Sequence, residues 1–176
     1  KETYNIDSTV IYPPVDTELF KLEKNKEDYF ITTARLEPYK RVDLLVNAFN
    51  KTQDTLYVVG DGSMKKRLRK IANQNIRFFD FLEPKQVMQL VGKAKAFVHA
   101  GIEDFGIAPV EAQSCGTPVI AYNMGGLSET IIDNKTGILF NDQSINAILN
   151  AIKRFKITEF DYTYISRHAS KFSEEN

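Results

Sequence analysis

The sequence predicts an α/β domain, a parallel β-sheet flanked by helices. Short apolar runs of strand length alternate along the 176 residues with stretches of helical periodicity, the pattern of βα units repeated around a parallel sheet. The clearest block, Phe97 to Glu129, reads strand, loop, helix, strand, Gly-Gly, helix. Length and composition agree, because 176 residues with 43% hydrophobic and 26% charged content suit one globular domain with a sizeable core.

Lys1 to Asp7 is polar, and residues 1–8 are expected to form a linker. Thr9 to Tyr12 is a β-rich run ended by Pro13-Pro14. Tyr29 to Ala34, YFITTA, is the first strong strand. Arg35-Leu36-Glu37-Pro38-Tyr39-Lys40-Arg41 follows, and VDLLVNAF then places apolar residues at 42, 45, 46 and 49, so a helix is predicted to start at Lys40. Leu56 to Val59 is the next strand, and Gly60-Asp61-Gly62-Ser63 opens a basic helix to about Gln74. Lys65 stands where a dinucleotide fingerprint needs its third glycine, so Gly60 and Gly62 do not form that motif. Lys65, Lys66, Arg67, Arg69 and Lys70 read as a solvated face, since no aromatic residues interleave them as nucleic-acid binding would require. Ile76 to Leu82, IRFFDFL, is a strand, and Pro84 begins a helix to about Lys93.

The central block comes next. Ala96, Phe97 and Val98 form a buried strand, and the chain then breaks at Gly101, carries Glu103 and Asp104, and breaks again at Gly106. From Ile107 the pattern is helical. Pro109 is tolerated in the first turn and Gly116 is a stop signal. Pro118 to Tyr122 is a strand, and Gly125-Gly126 opens a further helix. Thr136 to Phe140 is a last short strand, Ile145 to Phe155 is amphipathic, and Phe160 to Phe172 predicts a final helix within a tail of about 157–176.

Several function classes are excluded or disfavoured. Net charge is zero, which offers no polyanion partner a field to follow. The single cysteine, Cys115, fits a reducing compartment, and no apolar run approaches membrane-spanning length. No Asp-x-Asp pair, no His/Cys cluster with metal-ligand spacing and no P-loop motif is present, so no metal or other cofactor is expected.

What remains is a ligand crevice beyond the carboxyl ends of the strands. Helix N-termini there offer free N–H groups and partial positive charge, which suit phosphate. Arg35 ends one strand and Lys40 starts one helix, a good pair for a pyrophosphate: a planar fork and a point charge. Glu103 lies before the helix and Glu111 about one turn inside it, and both can project into one pocket as acceptors for paired sugar hydroxyls. His99 reads as a packed residue or one that supports the site's residues from behind, without a catalytic role, and His168 as structural or exposed.

Glu103, Phe105, Gly106 and Glu111, as E-x-F-G-x-x-x-x-E, followed by GTPVIAYNMGGLSE, resemble the C-terminal domain of family 4 retaining glycosyltransferases. Arg35-Leu36 and Lys40 match that family's R-L-x-x-x-K, and Gly60-Asp61-Gly62 its turn at the pocket rim. The resemblance covers nearly the whole chain. It implies a Rossmann-like sheet forming the C-terminal, donor-binding half of a GT-B fold over residues 1–176, with the N-terminal acceptor domain absent. Arg35, Lys40 and Glu103 are then the catalytic candidates. The donor is expected to touch Arg35, Lys40, Gly60 and Glu103, together with Asp104, Phe105, Gly106, Ile107 and the ribose-binding Glu111. Phe81 would stack on the base or join the core. Arg41 departs from the family's frequent glycine, and Asp80 stands where many members have glycine.

The implied reaction is metal-independent transfer of a hexose from a nucleoside-diphosphate sugar to a glycan or lipid-linked acceptor. Pro13-Pro14 and PYKRVDLL resemble mannosyltransferase branches, which implies GDP-mannose and polysaccharide biosynthesis. The expected partners are the nucleotide-sugar donor, the missing N-terminal domain and the acceptor bound by it, with no nucleic acid. The expected location is cytoplasmic, peripheral at the membrane through the missing half. Two alternatives stay open: a non-catalytic nucleotide-sugar-binding module, and another GT-B enzyme such as a sugar-nucleotide epimerase.

Overall fold

The computed structural model describes residues 11–17 and 19–173. The expected 1–8 linker and the start of the Thr9–Tyr12 run lie outside the described residues, and Ile11 and Tyr12 belong to no strand. Six strands, β1 (Glu27–Thr33), β2 (Leu56–Val59), β3 (Ile76–Phe79), β4 (Ala94–His99), β5 (Val119–Tyr122) and β6 (Gly137–Phe140), form one sheet in the order β3-β2-β1-β4-β5-β6. Every pairing is parallel. The strands are apolar on both sides because helices cover both faces. On one face α1 (Val42–Phe49), α2 (Lys65–Ile71) and α6 (Ile145–Lys156) pack over Phe30, Leu56, Val98 and Ile120. On the other, α3 (Pro84–Lys93), α4 (Ile107–Ser114) and α5 (Leu127–Thr130) cover Ile31, Phe97 and Val119. A final helix, α7 (Tyr162–Ala169), packs on α4.

Local chemistry sets the helix starts. A reciprocal capping box joins Glu83 and Gln86 at α3, with Pro84 in the first turn. Ser144 accepts from the Ala147 N–H at α6, and Asp161 accepts from the Thr163 and Tyr164 N–H groups at α7. No helix among the described residues is long and apolar enough to cross a membrane.

Four expectations need correction. The third strand stops at Phe79, not Leu82, because Asp80 turns back to pair with Lys65 at 2.9 Å and with Arg69. Phe81 is therefore neither strand nor core; it stands 83% exposed on the turn. The basic helix ends at Ile71, three residues before Gln74, with extended backbone at Ala72. Lys40 closes a 3-10 turn, Pro38–Lys40, and α1 begins at Val42 after Arg41 has adopted left-handed backbone at φ 52°. The left-handed region is one that glycine enters without strain, and here an arginine takes it. In the tail the predicted helix divides into α7 and a 3-10 turn, Ser170–Phe172, and Ile165 is fully buried in its own domain.

Candidate functional site

The strand order reverses between β1 and β4. Connections run outward from β1 through β2 to β3, and separately from β4 through β5 to β6. Such a switch point leaves a crevice at the carboxyl ends of the two central strands. Ile31 pairs with Phe97, so the ends at Thr33 and His99 lie side by side. A cavity of about 510 Å³ opens there, walled by Arg35, Lys40, His99 and the Glu103–Pro109 segment. A larger groove of about 660 Å³ runs along α3 past Tyr29, Leu82 and Leu90, but it contains none of the charged residues singled out by the sequence. The smaller cavity joins chemistry to topology and is the candidate site.

Arg35 and Lys40 reach it from the β1–α1 loop. This loop is held from behind by the Gly60–Ser63 turn: Leu36 donates to Asp61 O at 2.7 Å, Met64 donates to Leu36 O at 2.9 Å, and Ser63 N–H donates to Glu37 at 3.0 Å. Gly60 sits at φ 140°, and a Cβ there would lie 2.0 Å from Ala34 O. Gly60 does not line the cavity; its role is close packing under the loop that carries Arg35. Arg35 is exposed at the cavity wall, and its guanidinium makes no hydrogen bond to the described residues. Lys40 Nζ instead donates to Glu103 Oε1 at 2.6 Å, with both side chains 18% exposed.

Glu103 has a second neighbour. His99, 3% exposed at the end of β4, brings Nε2 to 3.0 Å from the same Oε1, off the line of a hydrogen bond, so that Nε2 is left without a partner. Burial opposes ionisation of Glu103, but His99 and Lys40 outweigh it and hold the carboxyl down at about 2. His99 is the cavity residue that sequence reasoning passed over. An apolar strand ending in histidine usually signals packing, and only the loop's return brings Glu103 to it.

Gly106, at φ 91°, turns the acidic loop into α4, whose first turn has no side-chain cap. Uncapped N–H groups beside Ile107 and Ala108 therefore face the cavity, a ready place for an anion. Asp104 is exposed at the same wall. The Phe105 side chain turns the other way. It packs against Phe172 at 5.6 Å and Tyr12 at 5.5 Å between ring centroids, in a small core with Val15, Val110 and Ala169. Glu111 is one turn beyond Ile107 on α4, half-buried and outside the cavity wall; burial and then nearby Asp16 raise its carboxyl pKa. Phe81 does not line the cavity. The Gly125-Gly126 junction is also not open to a ligand: Gly126 N–H donates to Glu103 O at 2.8 Å, so this turn braces the acidic loop. Among the described residues no three His, Cys, Asp or Glu side chains gather as a metal-ligand group.

An open α/β sheet with two cations, an uncapped helix start and acids at its switch point has the crevice where such sheets take their ligands. The chain belongs to the glycosyl transferases group 1 family, whose model matches residues 15–172. An uncharacterized glycosyltransferase of Methanocaldococcus jannaschii is 27% identical over 173 residues, covering 94% of this chain and 48% of the relative. A GDP-mannose-dependent alpha-(1-6)-phosphatidylinositol monomannoside mannosyltransferase of Mycolicibacterium smegmatis is 28% identical over 170 residues, covering 80% of this chain and 44% of that protein. The apo lipopolysaccharide outer core galactosyltransferase WaaB superposes with a TM-score of 0.80 at 22% identity, over 94% of this chain and 52% of that one. The fold is thus that of one GT-B half, and the chain spans about half the length of the relatives it matches.

Proposed function

We propose that this chain is the donor-binding half of a retaining hexosyltransferase that takes a nucleoside-diphosphate sugar as donor. The observation that carries the reading is the meeting of Arg35, Lys40, Glu103 and the uncapped α4 start in one cavity at the β1/β4 switch point. In this reading Arg35 and Lys40 bind the diphosphate and stabilise the charge that grows on it as the bond to the anomeric carbon breaks. The α4 N–H groups orient a phosphate or the sugar. Glu103 accepts from sugar hydroxyls and Glu111 from the ribose hydroxyls. The acceptor hydroxyl attacks the anomeric carbon from the leaving-group face, forms the new C–O bond and passes its proton to the departing diphosphate. Acceptor and membrane contacts belong to the other half. Mannose from GDP-mannose is the finer reading, supported by the GDP-mannose-dependent M. smegmatis relative and by Pro13-Pro14.

Calorimetric titration of the chain with GDP, UDP, ADP, GDP-mannose and UDP-glucose tests it. One nucleotide and its sugar conjugate should bind. Lys40→Ala should weaken both at least tenfold, since a hydrogen bond to a charged group contributes about 1.5–3 kcal/mol. A folded chain that binds none of the five, or a Lys40→Ala variant with unchanged affinity, overturns the assignment.

A further inference from the structure

His99 has three properties that belong together. It is 3% exposed at the end of a central strand, its Nε2 makes no hydrogen bond, and that atom lies 3.0 Å from Glu103 Oε1 at the cavity wall. A buried imidazole nitrogen without a partner is costly, and this one has an acceptor within reach that a change of pairing could offer it. The surroundings hold the ring close. Gly101 leaves no side chain between them: a Cβ there would lie 3.1 Å from His99 Nε2 and 3.1 Å from Lys40 Cα.

The partner is determined by what happens to Lys40. In this structure its ammonium is committed to Glu103 Oε1 at 2.6 Å. Resting on the donor-site reading above, an incoming diphosphate offers this ammonium a stronger acceptor, because it carries more charge than one carboxylate and presents several oxygens. When Lys40 turns to the phosphate, Glu103 is left half-buried with its closest counter-group gone, a costly state for a carboxylate. Among the described residues, the only other side chain paired with Glu103 is His99. A small rotation of the ring brings Nε2–H into line with Oε1.

We propose that His99 is a positioning residue that takes over Glu103 Oε1 when the donor's diphosphate draws Lys40 away, leaving Oε2 directed at the sugar hydroxyls. It acts through Glu103 and touches neither phosphate nor base. Its effect is therefore confined to the part of the affinity that the sugar adds.

The experiment measures that part. The chain is titrated with a nucleoside diphosphate and with its sugar conjugate, GDP with GDP-mannose or UDP with UDP-glucose. The ratio of the two affinities is compared among the unaltered chain, His99→Leu and His99→Gln, whose amide N–H reaches the place of Nε2. His99→Leu should lower affinity for the conjugate about tenfold more than for the diphosphate, the weight of one hydrogen bond to a charged group. His99→Gln should restore most of the ratio, which a purely packing role would not do. If both ligands bind as before in His99→Leu, or lose affinity equally without rescue by glutamine, the inference fails while the donor site stands. If the unaltered chain binds neither pair, the donor-site reading fails and takes the inference with it. A measurement on the unaltered chain removes dependence on variant folding. The sequence has two histidines, so 15N-imidazole spectra are simple to assign. The His99 Nε2 signal should move toward a hydrogen-bonded N–H when the conjugate is added; an unmoved signal in a saturated complex overturns the proposal.

Discussion

Phe172 lies in the tail, far in sequence from the acidic loop, yet its ring is built into the support of that loop. It is 8% exposed and packs edge-on against Phe105 at 5.6 Å, Tyr12 at 5.3 Å and His168 at 5.8 Å, while its carbonyl accepts from Val15 N–H at 2.9 Å. Phe172→Ala keeps the backbone bond and removes the ring. Loss of burial for a phenylalanine side chain is worth about 1.5–3 kcal/mol, and each lost edge-on aromatic pair about 0.5–1.5 kcal/mol. The cluster lies at the edge of the domain and can close partly over the gap, so the cost should fall near the low end for such truncations, about 3 kcal/mol. The same substitution strips Phe105 of one of its two ring partners, loosens the Glu103–Gly106 loop and lowers nucleotide affinity several-fold. Urea unfolding of the unaltered chain, Phe172→Ala, Phe105→Ala and the double variant gives the coupling between the rings, expected at about 1–2 kcal/mol for residues in contact. Additive effects within about 0.5 kcal/mol, or a Phe172→Ala variant with unchanged nucleotide binding, would refute the idea that the tail supports the loop.

Three further outcomes follow from the same geometry. The folded-state pKa of Glu103 is about 2, below its usual 4.5, so its stabilising contribution is fully present above the usual value and is lost as pH falls through about 2; Glu103→Gln should flatten the acid limb of a stability-against-pH curve, and an unchanged limb would deny the pairing. Gly60→Ala forces a Cβ within 2.0 Å of Ala34 O at φ 140° and should destabilise the chain by about 3 kcal/mol or more in urea, whereas a loss under about 1 kcal/mol would show that the loop behind Arg35 yields easily. Burial pushes the Cys115 thiol up to about 12, so alkylation by iodoacetamide at pH 8, followed by mass spectrometry, should be slow in the folded chain and rapid on unfolding; comparable rates in the two states would contradict its burial.

Elements whose periodicity is complete could be read directly. VDLLVNAF and LYVV occupy α1 and β2 to the residue, since their apolar faces meet sheet or helix along their whole length. IRFFDFL carries the same apolar content but lies at the sheet edge, where ion pairs to Asp80 end the strand and leave Phe81 in solvent. Composition cannot distinguish an aromatic at an edge turn from one in the core. The acids and cations of the site were legible because their spacing relative to glycine breaks fixes which loop they occupy. The 3-10 turn at Pro38–Lys40 was not, because it depends on Arg41 entering left-handed space. His99 was visible as a residue but not as a neighbour of Glu103. The Gly125-Gly126 pair was legible as a helix start but not as a brace for the acidic loop, because its N–H bond to Glu103 O joins segments far apart in the pattern.

The two cations of the cavity begin from different states, and this bears on how it can discriminate. The Arg35 guanidinium makes no hydrogen bond to the described residues, so an anion can reach it without breaking one. Lys40 must give up a 2.6 Å contact to Glu103, and that exchange costs part of whatever the phosphate offers. On the proposed reading, a simple anion such as inorganic phosphate gains the arginine contact but brings no hydroxyl to the carboxylate that Lys40 leaves, which then has only His99 to turn to among the described side chains. A diphosphate joined to a sugar, by contrast, brings hydroxyl donors to Glu103 in the same event that frees Lys40. On the proposed reading the ion pair acts against partial ligands, because it yields most readily to a molecule that replaces both halves of the bond it breaks.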